Sequence, residues 1–168
     1  NIDWARDLEE AGAHVIYGLA GLKVHAKVAL VVRREPAGIR RYLHLATGNY
    51  NERTARFYTD FGLLTASGAF GADASGFFNS LTGYSEPPMF QRLVVAPLGL
   101  RERIVSLIRR EADRARSGQI SGILAKMNSL VDPVIIQELS AASTAGVSIR
   151  LNVRGICCLR PGLPGVSE

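Results

Sequence analysis

The chain has 168 residues, a formal net charge of +5 with arginine supplying the excess, and 47% hydrophobic residues. That length suits one ordinary domain or parts of two small ones, with enough apolar residues for a real core, and no apolar run approaches the roughly 18 residues a membrane-spanning helix needs. A basic balance favours an anionic partner but leaves nucleic acid, nucleotide, phosphate polymer and membrane surface all open.

The chain opens without a charged-then-apolar leader. It starts in mid-flow at NIDWARDLEEAG and stops abruptly at Glu168, as an excised piece of a longer protein would. Asp3 can cap a helix over WARDLEEAG that Gly12 ends, with Trp4, Leu8 and Ala11 on one face. AHVIYG, residues 13–18, reads as a short strand, and LKVHAKVALVVRRE, residues 22–35, as a longer one. The turn EPAG leads into the strand IRRYLHLAT, and these two strands form a hairpin. GNYN is a turn, and NERTARFYTDFGLL combines a short helical turn with an extended piece. Residues 66–90 are rich in Gly, Ser and Pro and read as a loop around a short helix. LVVAPLGLRERIVSLIRREADRARSG then gives a strand followed by a long amphipathic helix. Ile104, Leu107, Ile108, Ala112 and Ala115 make the apolar stripe of that helix, and Gly118 closes it. GILAKMNSL is a strand, Asp132 and Pro133 are the cap and first turn of the next helix, and VSIRLNVRG is the last strand before LRPGLPG.

Two stretches share a plan of helix, Ala-Gly, β-branched strand and Gly: WARDLEEAGAHVIYGLAG and IIQELSAASTAGVSIRLNVRG. If they are a repeat, a strand like the His25 strand follows Glu168, and a duplicated α/β architecture with a shared cleft results. Cys157 and Cys158 are adjacent, with no third cysteine to pair with. Neighbouring thiols make a poor staple and a poor metal site, so both read as reduced, small buried apolar residues in a cytoplasmic protein.

The chemistry gathers at His25 and Lys27, two residues apart in an apolar strand. Alternate strand residues share a face, so these two point together while Val24, Ala26, Val28 and Leu30 point into packing. A buried lysine is costly unless paired or facing a polar cavity, so the His25 face lines a cleft or lies on a solvent surface. Neutral imidazole is a competent nucleophile, and an ammonium beside it stabilises charge on phosphoryl oxygens. Arg53, Arg56 and Arg154 can add charge in the bidentate form that suits phosphate. His14 and His44 read as structural.

A His-x-Lys strand followed, one hairpin later, by a turn carrying Asn (TGNYN here) resembles the phospholipase D-like superfamily. The pattern departs at Val32, where that superfamily has Asp five residues after the Lys. Three longer stretches stand out in a match that runs from Asn1 to Glu168 without an obvious gap: GLKVHAKVALVVRRE through IRRYLHLATGNYNERTARFYTDFGLLTA, KMNSLVDPVIIQELSAASTAGVSI, and VRGICCLRPGLPGVSE. They resemble bacterial polyphosphate kinases of the first type. The resemblance implies an α/β fold with a phospholipase D-like mixed β-sheet flanked by helices, in two related units. Residues 1–90 would be the first C-terminal unit with the catalytic histidine, and 91–168 the start of the second. It implies reversible transfer of the ATP terminal phosphate to a histidine and from there to a polyphosphate chain. His25 matches the phosphorylated histidine and Lys27 the lysine beside it. Tyr58 and Arg154 match residues of the nucleotide and phosphate site, and Asn49 the turn asparagine. Magnesium (Mg2+) ligands fall upstream of Asn1 and a second active-site histidine beyond Glu168, so residues 1–168 alone are expected to be inactive. The implied partners are ATP, ADP and inorganic polyphosphate, with no nucleic acid. The implied parent is a homo-oligomer, cytoplasmic or peripheral at the inner membrane face. Two other functions compete: a phospholipase D-like phosphodiesterase, which Val32 argues against, and a non-catalytic module that binds polyanions by salt-sensitive contacts.

Overall fold

The computed structural model describes residues 2–18, 21–83, 86 and 88–167, with helices and strands in mixed α/β order. The chain divides into two compact units, Asn1–Leu93 and Val94–Glu168.

The first unit is built on a three-stranded antiparallel sheet of β1 (Val28–Glu35), β2 (Gly38–Ala46) and β3 (Gly62–Thr65), with β2 in the centre. The hairpin register runs from Val28 opposite Leu45 to Glu35 opposite Gly38. Gly38 closes the turn at φ +116°, a conformation that favours glycine. Helix α2 (Gly68–Leu81) packs on one face of this sheet above Leu43, which is 1% exposed. The sequence reads this stretch as a loop around a short helix, whereas the helix runs for 14 residues. Its small residues are what let it lie close. A Cβ on Gly71 would come within 2.8 Å of the Arg41 side chain, and Arg41 Nε donates to Ser75 Oγ at 2.9 Å. Tertiary packing overrides the low helix propensity of glycine here.

The buried carboxylate of Asp73 on α2 accepts from the backbone N–H groups of Gln91 (3.0 Å), Arg92 (2.6 Å) and Leu93 (2.9 Å). Only Leu93 among these donors belongs to the expected strand LVVAP, which is irregular. Burial pulls the Asp73 carboxyl upward, but the N–H groups of Gln91, Leu93 and Arg92 outweigh it and hold it below the ordinary carboxylate range.

Other expectations fail at the amino-terminal end. Helix α1 (Ile2–Glu10) is present and Gly12 ends it at φ +90°. The helix already runs at Ile2, so Asp3 lies inside its first turn, and the Asp3 side chain is outside the described residues. Trp4 and Leu8 are exposed rather than packed. AHVIYG pairs with no strand among the described residues, and Ile16 and Tyr17 are exposed: alternating hydrophobicity makes no strand without a partner. The proposed repeat therefore matches only in its helix and Gly. Gly146 ends the later helix at φ +93° as Gly12 ends the first, but among the described residues a strand follows directly only after Gly146.

The second unit is a β-α-β arrangement preceded by a long helix. Strands β4 (Gly122–Met127) and β5 (Ser148–Val153) run parallel, and α4 (Pro133–Thr144) makes the crossover between them. Asp132 caps α4 as expected, its carboxylate accepting from the Val134 and Ile135 N–H groups, with Pro133 in the first turn. Helix α3 (Leu100–Arg116) packs on α4. The core is Ile108, Ala112, Leu130, Leu139, Ala142 and Val147. In the α3 stripe Val105 is buried where Ile104 was expected, and Ile104 is 37% exposed. The fork of Arg109 on Glu138 and the hydrogen bond from Arg101 Nε to the capping Asp132 tie α3 to α4. Among the described residues no helix is long and apolar enough to cross a membrane.

Candidate functional site

β2 and the hairpin fix where His25 and Lys27 lie. The ladder continues one step past β1, with Ala46 N–H donating to the Lys27 carbonyl at 2.9 Å. On the other side of β2, Thr47 N–H donates to the Phe61 carbonyl at 3.0 Å and extends the β2–β3 pairing by one step. His25 and Lys27 sit in an irregular lead-in, residues 23–27, and not within the strand as the sequence suggested. Val24 and Ala26, expected in packing, are exposed for the same reason.

The expected pairing of the two side chains nevertheless holds. Lys27 Nζ lies 2.8 Å from His25 Nδ1 and 3.0 Å from Nε2, and donates to the His25 carbonyl at 2.8 Å. An ammonium has donors only, and a neutral ring has one lone-pair nitrogen, so only one ring contact can be a hydrogen bond at a time. The His25 ring is exposed while Lys27 is half-buried. The lysine is thus folded back on the imidazole, and the imidazole faces solvent.

The TGNYN turn begins one residue beyond the Lys27 tie. Its backbone curls through Asn51 N–H onto the Asn49 carbonyl at 2.8 Å, leaving the Asn49 side chain on an exposed loop. Asn51, not singled out by sequence, caps the short 3-10 turn Thr54–Arg56 by accepting from Arg53 N–H (3.1 Å) and Thr54 N–H (3.0 Å). Tyr58 follows that turn and is 48% exposed, in a loop that also exposes Tyr50, Phe57 and Phe61. Arg53 and Arg56 are exposed on the same loop. Thr47 Oγ1 donates to Asp60 Oδ1 at 2.9 Å and accepts from Phe61 N–H at 2.9 Å. Gly48 is where Asp60 packs: a Cβ there would stand 2.4 Å from Asp60 Oδ2. Sequence reading passed over Thr47, Gly48 and Asp60, although Asp60 lies two residues from Tyr58 in the same motif. His44 fits its structural reading, with Nδ1 2.8 Å from the Tyr50 hydroxyl.

Arg154 lies in the second unit, just past the end of β5. Its N–H donates to Met127 O (3.1 Å), and Gly155 N–H to Asn128 O (2.8 Å). The parallel pairing carries on to a bridge between Leu130 and Cys157. Gly155 has no room for a side chain, since a Cβ would come 2.9 Å from Asn128 O. The carboxyl ends of parallel strands are where α/β sheets usually take ligands. Cys157 and Cys158 are exposed free thiols and not the buried apolar residues expected. Among the described residues no group of three or more His, Cys, Asp or Glu side chains converges to hold a metal ion. These residues do not fit a magnesium site.

Comparison with known proteins agrees with this architecture. The family description "Polyphosphate kinase C-terminal domain 1" matches residues 1–87, and "Polyphosphate kinase C-terminal domain 2" matches residues 93–168. Two polyphosphate kinases, from Rhodopirellula baltica and Synechocystis, are each 58% identical to this chain over its whole length. The chain spans 20% and 23% of those relatives' lengths. The crystal structure of polyphosphate kinase from Porphyromonas gingivalis superposes with a TM-score of 0.87 at 42% identity, over 98% of this chain and 28% of that one. The chain belongs to the polyphosphate kinase family and corresponds to its two C-terminal domains.

Proposed function

We propose that this chain carries the phosphorylated histidine of an ATP–polyphosphate phosphotransferase, with His25 as the nucleophile. The observation that carries the reading is the His25–Lys27 contact: a solvent-facing imidazole with an ammonium 2.8 Å away, just ahead of the hairpin that holds the Lys27 backbone. The ring lone pair attacks the terminal phosphorus of ATP. The bond to the bridging oxygen breaks and its electron pair leaves with ADP. Lys27 moves from the ring onto the phosphoryl oxygens and offsets their charge. Attack by a terminal oxygen of polyphosphate then breaks the N–P bond, returns the pair to the ring and lengthens the polymer by one unit. Run backwards, the same steps regenerate ATP.

Phosphoryl transfer asks for positioning and positive charge more than for further covalent chemistry. Asn49 supplies amide donors at the turn, and exposed Tyr58 offers a face on which a nucleotide base stacks. Arg154 supplies a planar fork for phosphate. ATP, ADP and inorganic polyphosphate are the substrates of this reading. Magnesium, where the parent enzyme uses it, would be held by residues outside this chain. The working protein is a cytoplasmic homo-oligomer. His25→Ala in the intact enzyme should abolish both polyphosphate synthesis and an acid-labile, base-stable label from γ-labelled ATP. Normal synthesis by that variant would refute the reading.

A further inference from the structure

Parallel strands are usually covered on both faces and read as near-continuous apolar runs. β4 and β5 do not. GILAKM and SIRLNV alternate, and exposure changes at every residue of both strands. One face, with Ile123, Met127, Ile149, Leu151 and Val153, packs on the core of the second unit. The other face carries Gly122, Leu124 and Lys126 from β4 and Ser148, Arg150 and Asn152 from β5, all exposed. The register sets Lys126 directly opposite Asn152 and Leu124 opposite Arg150. Arg154 stands two residues past Asn152, just beyond the end of β5, and is exposed as well.

Two properties single this face out. First, it bears two cations and a carboxamide, with no carboxylate among its residues. On α3 the cations are matched: Arg101, Arg109 and Arg114 are each tied to an Asp or Glu. No ion pair among the described residues includes Arg150. Glu111 meets the sheet at its amino end, where it accepts from Gly122 N–H at 3.3 Å. Second, the donors are spread lengthwise. Residues on one face of a strand recur about every 6.6 Å, and neighbouring strands lie about 4.7–4.9 Å apart. Arg150 to Arg154 thus covers about 13 Å, which is more than one phosphate needs and suits successive phosphates of one chain. The face has no aromatic residue on which a base could stack, so a bare phosphate chain fits it better than a nucleotide or a single-stranded nucleic acid.

We propose that the open face of β4 and β5 is a binding track for a polyphosphate chain, with Lys126 and Arg150 as its cations and Asn152 as the amide beside them. The proposal rests on the polyphosphate reading above and adds residues that do no chemistry. Lys126 holds phosphate as a point charge and Arg150 as a planar fork. The track leads to Arg154 and engages phosphates along the chain rather than its reacting end. It therefore favours long polymers over short ones.

The test is ATP formation from ADP by the intact enzyme, with long-chain polyphosphate or tripolyphosphate as donor. The double variant Lys126→Gln/Arg150→Gln should raise KM for the long chain about tenfold or more, the weight of a charge-assisted contact, and leave KM for tripolyphosphate within about twofold. Phosphoenzyme formation from γ-labelled ATP should be unchanged. Lys126→Arg/Arg150→Lys keeps both charges and should keep most of the long-chain affinity. Added salt should raise the long-chain KM more steeply in the parent than in the Gln variant. A long-chain KM within about twofold of the parent overturns the proposal. So does a matching loss of labelling from ATP, which is the mark of a damaged unit. Polyadenylate that inhibits the parent as strongly as polyphosphate of equal charge would make the face a general polyanion surface and overturn it too. His25→Ala separates the two levels. Normal synthesis by that variant defeats the phosphohistidine reading and leaves the track standing, whereas an inactive His25→Ala beside an unchanged long-chain KM in the Gln variant defeats the track alone.

Discussion

Replacing Asp73 with alanine strands three backbone N–H groups at the end of the first unit. Asp73 is 3% exposed, and its oxygens take the N–H groups of Gln91, Arg92 and Leu93 at 2.6–3.0 Å. A hydrogen bond to a charged partner contributes about 1.5–3 kcal/mol, so three give an upper bound of about 4.5–9 kcal/mol. Gln91 and Arg92 are exposed, and their N–H groups can turn to water once released. That relaxation brings the expected loss to about 3 kcal/mol, mostly from Leu93 and the emptied site. For a unit the size of Asn1–Leu93, this lowers Tm by about 12–24 °C. Asp73→Asn keeps one acceptor oxygen and should lose about half as much. Because the folded carboxyl is held below its unfolded value, its stabilisation is complete above about pH 4 and disappears as pH falls through the folded value. Urea denaturation of parent, Asn and Ala chains at neutral pH and in acid measures all three effects. An Ala chain within about 1 kcal/mol of the parent at neutral pH would refute the reasoning.

The second unit offers independent checks. Leu139→Ala, at a residue 4% exposed in the α3–α4 core, should cost about 2–4 kcal/mol in chemical denaturation, and a loss under 1 kcal/mol would mean the core is not packed as described. The hydrogen bond from Arg109 holds Glu138 low, and the Ile135 N–H, then Arg101, hold Asp132 low. Depressed carboxyls stabilise above their unfolded values, so the melting temperature of this unit should fall as pH drops below about 4, and Arg109→Gln should flatten that fall.

Much of the fold could be read from sequence where local signals and tertiary packing agree. The β1–β2 hairpin, the Asp132–Pro133 start of α4 and the β4-α4-β5 order all follow from alternation, a cap and a proline. Helix α2 escaped because Gly71 and Gly76, which weaken a helix alone, are there to let the sheet and Pro88 come close. LVVAP is irregular, and the Leu93 N–H at its start is held by Asp73, twenty residues away in sequence. AHVIYG failed for want of a partner. The same split runs through the site. His25 and Lys27 were visible as a spacing of two, and their contact survives even though the strand starts at Val28. Thr47, Gly48 and Asp60 were not visible, because their relation depends on how the β2–β3 loop folds back and not on any local period.

The central claim is that His25 carries the phosphate. The most direct measurement incubates the intact enzyme with γ-labelled ATP, digests it at alkaline pH and maps the labelled residue by mass spectrometry. The account predicts phosphate on the peptide containing Val24–Lys27, bound to the imidazole, discharged by ADP or by polyphosphate, and absent after His25→Ala. Stoichiometric phosphate on any other residue, dischargeable in the same way, would contradict it.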